Sequence, residues 1–495
     1  MTTKRDGSRK SLRLEGVQRL CAFALMSGLF LASAPPPADA QIFMSKAQEK
    51  QIGQEEHPKI LKSYGVYPDA AVSGYVAQIG GSIAANSNDP GVGYTITLLN
   101  SPVVNAFALP GGYVYITRGL LALANSEAEV AGVLGHEIGH VTARHMAKRY
   151  DRAVGTSIVG TILGAVTGSQ IATELFNIGG SLYLSGFSRQ QEYEADLLGV
   201  RSLARTGYDP YAEADFLATL DAQTKLEAKL AGTEARRVEF FSTHPNTPDR
   251  VKRAIEEAKG QGVAMNGRPR NRDIYLSKIE GMIYGDSRSD GFVRGQTFLH
   301  PELKLAFKVP DGFRLQNSAE AVVATAKDGS GIQFDGGKAP AGRDAKTYLT
   351  SDFANEIKLR PRNVETFDVN GMHAATGTAT AQTSSGNVDV RMVAIRYEPG
   401  TMYRFLLITP TNVTKSRDAA LRATIMSFRK LSNSEAAALK PLRIHIVKAG
   451  AGDSVASLAN RMSFKDYREE RFRVLNGLGT GGSVVAGSRY KIITE

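Results

Sequence analysis

Two histidines and a glutamate stand together at His136-Glu137-Ile138-Gly139-His140, and no other segment of the 495 residues limits the fold as strongly. On an α-helix, residues four apart lie about 40° apart around the axis and one turn apart along it, so His136 and His140 can grip one ion. Glu137 projects beside them. Zn²⁺ held by neutral ligands lowers the pKa of its water to roughly 7, and an adjacent carboxylate can take that proton and later pass it to a leaving amine. The segment is therefore expected to be the helix of a zinc peptidase site, with one Zn²⁺ per chain. The alternative is a surface helix that carries these residues by chance.

The helix is well marked. Ser126-x-x-Glu129 reads as a capping box ahead of an apolar run, and Val130, Val133, Leu134, Ile138 and Val141 recur at helical spacing. Gly132, Gly135 and Gly139 lower helix propensity, and glycines at that density point to another backbone or a metal in close approach.

A catalytic zinc takes three protein ligands and leaves a fourth position open, and a ligating histidine commonly donates its other nitrogen to an outer carboxylate. In Ser188-Arg189-Gln190-Gln191-Glu192-Tyr193-Glu194-Ala195-Asp196, Glu192 and Asp196 share a helix face. Glu192 suits the third ligand and Asp196 the outer partner. An acidic helix start by itself is more often a favourable dipole arrangement; the upstream histidines reverse that reading.

With these two blocks the chain resembles the HtpX/BepA-like zinc metallopeptidases, the gluzincin family that includes the CAAX prenyl proteases, whose pattern is HExxH followed by ExxxD on a later helix. Two further blocks fit. Asn105-Ala106-Phe107-Ala108-Leu109-Pro110-Gly111-Gly112 and the following Tyr113 to Leu121 resemble the family segment that supplies an edge strand, so Asn105, Ala106 and Phe107 are candidates for aligning an extended substrate by strand addition. The alternative is an ordinary hairpin with a Pro-Gly-Gly turn. His244-Pro245-Asn246-Thr247-Pro248-Asp249-Arg250 matches the family's HP motif. The resemblance covers roughly residues 41 to 260. It implies a mainly helical peptidase domain with a small edge-strand sheet.

It also implies that the loop bearing His244 lies near the metal. There His244 is a candidate regulatory zinc ligand, whose imidazole would close the tetrahedral site, or a transition-state stabiliser; loop packing is the remaining reading. Arg250 and Tyr193 are further candidates for oxyanion stabilisation. His145, nine positions beyond His136, falls on about the opposite side of a continuous helix and is read as structural. His57, His300, His373 and His445 lack ligand spacing.

The first forty residues read as a secretory signal peptide. A basic start holding Lys4, Arg5, Arg9, Lys10, Arg13 and Arg19 precedes an apolar run from Leu20 to Ala34, with Ala38-Asp39-Ala40 as a cleavage site. The expected compartment is the periplasm. Cys21 is the sole cysteine and falls in the leader, so neither a disulfide nor a thiol nucleophile is expected in the mature protein. The net charge of +11 stays positive without the leader. This favours anionic envelope polymers and peripheral contact with lipid surfaces, whereas dispersed charge on an exported chain excludes nucleic acid as the partner.

The rest of the chain predicts further domains, giving an α+β multidomain protein: signal peptide 1–40, peptidase 41–285, an α+β domain of unassigned role at 296–432, and a small module at 442–495. A glycine- and arginine-rich linker is expected at 259–275. In the second domain, Leu303 to Val309 and Val388 to Tyr397 alternate like half-buried strands, and Ala345 to Lys358 reads as a helix. The last segment resembles a LysM βααβ module, with Ile444 to Lys448 and Tyr490 to Ile493 as strands. That resemblance implies binding to peptidoglycan, and so a role in location rather than chemistry. The copy departs from the pattern at Ala449 to Ala451 and in its charged helix Asp466 to Arg473, which leaves the glycan binding open. Finally, Ala153 to Thr173 is uncharged and long enough to span a bilayer. Its Thr, Ser and Gln content, and its place between two ligand-bearing helices, favour a helical hairpin or cover instead.

The function expected from this reading is a periplasmic zinc endopeptidase that cleaves unfolded or misassembled envelope polypeptides. The alternative is a largely latent peptidase acting as a chaperone-like or peptidoglycan-tethered binding protein.

Overall fold

A computed structural model describes residues 44–151, 186–231, 240–245, 248–317, 321–340, 342–383 and 386–495. The leader at 1–40 and the uncharged stretch 153–173 lie outside the described residues. Among those described, no helix is long and apolar enough to cross a membrane.

Helices α1 (Lys46–Tyr64) and α2 (Ala70–Ala85) precede a three-stranded sheet of β1 (Thr95–Leu99), β2 (Ala106–Leu109) and β3 (Tyr113–Thr117). Gly111 and Gly112 turn the chain at φ +81° and +91°, so β2 folds back antiparallel on β3 with Phe107 opposite Tyr115. The sheet order is β1-β3-β2. This leaves β2 at the edge, its outer backbone groups paired with no described strand.

Strand β3 runs straight into α3 (Arg118–Leu123), where the Thr117 side chain accepts from Leu120 N. The metal-motif helix α4 (Glu127–Thr142) follows, buried at every residue from Glu127 to His140. The expected capping box is half realised. Ser126 Oγ accepts from Glu129 N, but the Glu129 carboxylate reaches one residue further back, to Asn125 N at 2.8 Å. Val130, Leu134 and Ile138 pack with Ile79, Ile83, Leu120 and Phe216 in one core. Next come α5 (Arg189–Thr206), α6 (Ala212–Ala231), α7 (Phe240–Thr243), α8 (Pro248–Gly260) and α9 (Arg272–Ile279). A complete capping box starts α5, formed by Ser188 and Gln191. The loop between α8 and α9 is held against the helices, with Arg270 Nε on Asp209 at 2.8 Å.

After the short β4 (Ile283–Tyr284) come two antiparallel sheets. The smaller contains β5 (Phe292–Arg294), β6 (Thr297–His300) and β7 (Leu305–Lys308). The larger has seven strands, running from β8 (Phe313–Asn317), β9 (Val322–Ala326) and β10 (Gly331–Lys338) to β11 (Arg362–Val369), β12 (Met372–Thr383), β13 (Gly386–Glu398) and β14 (Thr401–Pro410). Strand β13 corrects the half-buried expectation. Val393 and Ile395 enter one core while Met392 and Ala394 enter another, beneath Tyr348, Leu349 and Phe353. Both faces are covered, because a helical run from Ala345 to Glu356 lies over the second one.

At the C-terminus β15 (Leu442–Lys448 in chain order after the Arg429–Lys430 pair) is antiparallel to β16 (Arg489–Thr494), with two helices, Val455–Ala459 and Arg468–Leu475, between them. Leu442 and Arg443 also pair with β4. Ile444, Phe472 and Ile492 belong to the same core as the motif helix. The buried Lys491 Nζ donates to the carbonyls of Ala122, Leu123 and Ala124 at 2.8, 3.2 and 2.6 Å, capping α3 just before α4 begins.

Candidate metal centre

Two helices build the centre. The i and i+4 spacing on α4 turns both histidines the same way, with His136 Nε2 and His140 Nε2 3.0 Å apart. Glu192, in the first turn of α5, presents Oε1 at 3.5 Å from His140 Nε2 and Oε2 at 3.7 Å from His136 Nε2. His244, just beyond α7, brings Nδ1 to 3.2 Å from His136 Nε2 and 3.1 Å from Glu192 Oε1. All four side chains are buried. Donor atoms on a tetrahedral zinc stand about 3.4 Å apart, from bond lengths near 2.0–2.1 Å. The cluster spans that range, and its residues could hold a metal ion.

Around this set lies a layer of carboxylates and rings. Asp196, one turn after Glu192 on α5, faces His136 Nδ1 at 2.8 Å. That contact orients the ring and leaves Nε2 directed into the cluster. Arg250 on α8 holds Asp196 with two bonds, Nε to Oδ2 at 2.8 Å and Nη2 to Oδ1 at 2.6 Å. Its Nη1 makes a 2.8 Å ion-pair contact with Glu192 Oε2 that lacks hydrogen-bond geometry. The structure therefore brings Arg250 to the carboxylates. It places Tyr193 against Arg253, whose guanidinium lies 4.1 Å from the ring centroid.

His145 stays outside the group of candidate metal ligands, in keeping with its structural reading, but it does not lie on the far side of α4. Helix α4 ends at Thr142, and the chain turns through Ala143 and Arg144, the latter at φ 54°. His145 then swings back, with Nδ1 2.8 Å from His140 Nδ1 and Nε2 3.2 Å from Glu194. The continuous-helix premise fails at that turn. Also unforeseen are Phe187, stacked on His140 at 3.9 Å, and Phe240, stacked on His244 at 4.5 Å. Glu213 of α6 is a further buried carboxyl beside Asp196 and His136. Nothing in local sequence marks these, since each is set by helix packing. His57 pairs with Tyr115 OH, His373 with Asp368 and His445 with Glu280, all outside the cluster.

Electrostatics separate the carboxyls. Burial raises Glu137 above its ordinary pKa, against the pull of His244 and His136. Neither Glu137 oxygen has a hydrogen-bond partner, and the nearest ring nitrogen, His244 Nε2, is 3.5 Å away. Burial would also raise Asp196, yet Arg250 and the His136 contact outweigh it and hold that carboxyl well below the usual range. For Glu192, burial is again outweighed, here by His244 and Arg250. Burial, with His136 and His244 nearby, pushes His140 well down, toward the neutral form a metal ligand needs.

Edge strand β2 lies beside the cluster. A cavity of about 290 Å³ is bounded by Ala108, Leu109 and Pro110 on one side and by His140, Val141 and Arg144 on the other. Asn105, at the head of the strand, is buried with its backbone tied to Thr117 and its side-chain Oδ1 unpartnered.

Two histidines and a glutamate converging from packed helices, backed by an aspartate, form the donor layout of a metallopeptidase. Residues 70–258, which contain the whole cluster, match the model of peptidase family M48, and this part of the chain is a domain of that family. The chain is 36% identical over 170 residues to the mitochondrial metalloendopeptidase OMA1 of Arabidopsis thaliana, covering 34% of this chain and 32% of that protein. It is 30% identical over 221 residues to a putative beta-barrel assembly-enhancing protease of Vibrio cholerae, covering 43% of this chain and 44% of that one. With the beta-barrel assembly-enhancing protease of Escherichia coli K12 it shares 28% over 260 residues, 50% of this chain and 51% of the relative. The chain thus spans about half or less of the length of these relatives.

Proposed function

We propose that the protein is a zinc metalloendopeptidase of the bacterial periplasm that cleaves unfolded or misassembled envelope polypeptides. The observation that carries this reading is the convergence of His136, His140 and Glu192 donor atoms beside an unpartnered, buried Glu137 carboxylate. The secretory character of residues 1–40 and relatives named as beta-barrel assembly-enhancing proteases support the compartment and the substrate class.

His136, His140 and Glu192 would hold zinc, which when bound supplies a Lewis acid for the water and the scissile carbonyl. Glu137, whose pKa burial raises, takes a proton from the attacking water and returns it to the leaving nitrogen. Asp196 fixes the tautomer of His136, and Arg250 keeps Asp196 ionised. Strand β2 aligns an extended substrate through the edge that no described strand pairs with. The layout proposed for the mature chain is a peptidase at 41–285, an α+β domain at 296–432 and a LysM-like module at 442–495 that would contact peptidoglycan.

His244 favours a second element, latency. Its Nδ1 stands among the ligand atoms, where a fourth protein donor would occupy the open position. In the proposed cycle, substrate on β2 draws the His244 loop away; the alternative is a largely latent peptidase that acts as a chaperone-like or peptidoglycan-tethered binding protein. Purified mature chain should contain zinc and degrade an unfolded protein; zinc-loaded protein that cleaves nothing either with His244 in place or with it removed would defeat the catalytic reading.

A further inference from the structure

A histidine that binds a metal through one nitrogen is oriented by what its other nitrogen meets. For His136 that partner is the Asp196 carboxylate. For His140 it is a second imidazole, since His140 Nδ1 faces His145 Nδ1 at 2.8 Å. The far nitrogen of His145 meets the Glu194 carboxylate at 3.2 Å.

Proton positions follow from these two contacts. A neutral imidazole carries one N–H, so His140 keeps its proton on Nδ1 when Nε2, which stands 3.0 Å from His136 Nε2, holds an ion. His145 Nδ1 must then accept. That places the His145 proton on Nε2, where Glu194 Oε2 receives it. The opposite tautomer of His145 would set N–H against N–H at one nitrogen and a lone pair against a carboxylate at the other. Glu194 therefore selects the form of His145 that can accept from His140.

The fold spends several contacts on holding His145 in place. Five residues beyond His140, a continuous helix would carry it about 140° around the axis. Arg144 prevents this by taking φ 54°, a left-handed conformation that residues with a Cβ rarely adopt. Its guanidinium is anchored on Glu49 of α1 at 3.0 Å and on the Met44 carbonyl. On the other side, Gln191 Nε2 donates to the His145 carbonyl at 3.3 Å, while Gln191 Oε1 accepts from Ser188 N at 3.1 Å and completes the cap of α5. One side chain thus ties His145 to the first turn of the helix that presents Glu192.

We infer that His145 is a positioning residue for the metal, accepting the Nδ1 proton of His140, and that Glu194 holds it in the tautomer that can do so. The inference rests on the peptidase reading for the ion at His140 Nε2. It gives the second histidine ligand an outer chain of imidazole and carboxylate, where the first has a carboxylate alone.

Two measurements test this without turnover. In zinc-loaded full-length protein with isotopically labelled histidine nitrogens, NMR should show His140 protonated at Nδ1, His145 protonated at Nε2, and a scalar coupling across the bond between the two Nδ1 atoms. In competition with a chromophoric chelator, His145→Phe, which keeps a ring but loses the acceptor, should hold zinc about 10–100 times less tightly. His145→Asn, whose Oδ1 can take the place of Nδ1, should restore most of that loss. If His145→Phe does not fold, Glu194→Lys replaces it, because the Glu194 side chain is 47% exposed. An ammonium donating to His145 Nε2 should drive the ring proton to Nδ1, abolish the coupling and weaken zinc binding. A proton on His145 Nδ1 in the unaltered chain overturns the proposal, as does a coupling that survives in Glu194→Lys. Zinc affinity unchanged in His145→Phe, or no better in His145→Asn than in His145→Phe, overturns it too and makes His145 a packing residue. Protein that shows the coupling and the expected order of affinities yet cleaves no polypeptide keeps the proposal and sinks the peptidase reading instead.

Discussion

A Cβ placed on Gly135 would stand 3.2 Å from the Cα of Gly199, so the helix carrying His136 and His140 touches the helix carrying Glu192 backbone to backbone. A Cβ on Gly199 would meet Glu213 Oε2 at 2.7 Å and His136 N at 3.0 Å. This contact brings the two donor sets within reach of one ion. Gly199→Val is expected to lose about 1–3 kcal/mol through overpacking and to bind zinc more weakly. Chemical denaturation and a chelator competition would read both, and a variant unchanged in each would remove the packing argument.

Glu137→Gln preserves shape while removing the proton acceptor. It should retain zinc at the level of the unaltered chain, yet hydrolyse an unfolded protein about 10²–10⁴ times more slowly. Metal analysis beside the kinetic assay distinguishes this from simple loss of the ion.

Asp196 acts through His136 and Arg250, so Asp196→Asn should weaken zinc binding about 10–100-fold without abolishing it. Glu192→Ala should lose the metal altogether. Normal zinc content in the Glu192 variant would take that residue out of the site.

With His244 among the donors, His244→Ala should raise basal cleavage of unfolded protein while zinc stays at one per chain. Lower activity with metal retained would make His244 a transition-state stabiliser instead. Unchanged kinetics would reduce it to loop packing.

The C-terminal module is expected to matter for stability as well as for location. Lys491 fills the carbonyl end of α3 immediately ahead of the motif helix, and the module shares that helix's core. Lys491→Met leaves the Ala122 and Ala124 carbonyls without that donor, while Leu123 O keeps Asn125 Nδ2, and should cost about 1–3 kcal/mol. Truncation after Lys440 should lower the melting temperature of the peptidase and its activity together; a truncated chain that melts and cleaves normally would show the module to be an appendage.

Local pattern alone established a good deal. The i, i+4 histidines, the apolar periodicity from Val130 to Val141, the Pro-Gly-Gly hairpin and the Glu192–Asp196 face depend on the period of a helix or the geometry of a turn, which neighbouring residues fix. The glycines of the motif helix announced a close approach without saying what approached. Only tertiary structure decided that it was Gly199 and Glu213, that His145 returns to His140 after a left-handed turn at Arg144, that strand 386–398 is covered on both faces, and that Lys491 buttresses a helix some 370 residues earlier. Those contacts join residues distant in the chain through packing, and packing depends on the whole three-dimensional arrangement, whereas a sequence motif records only the spacing within one element.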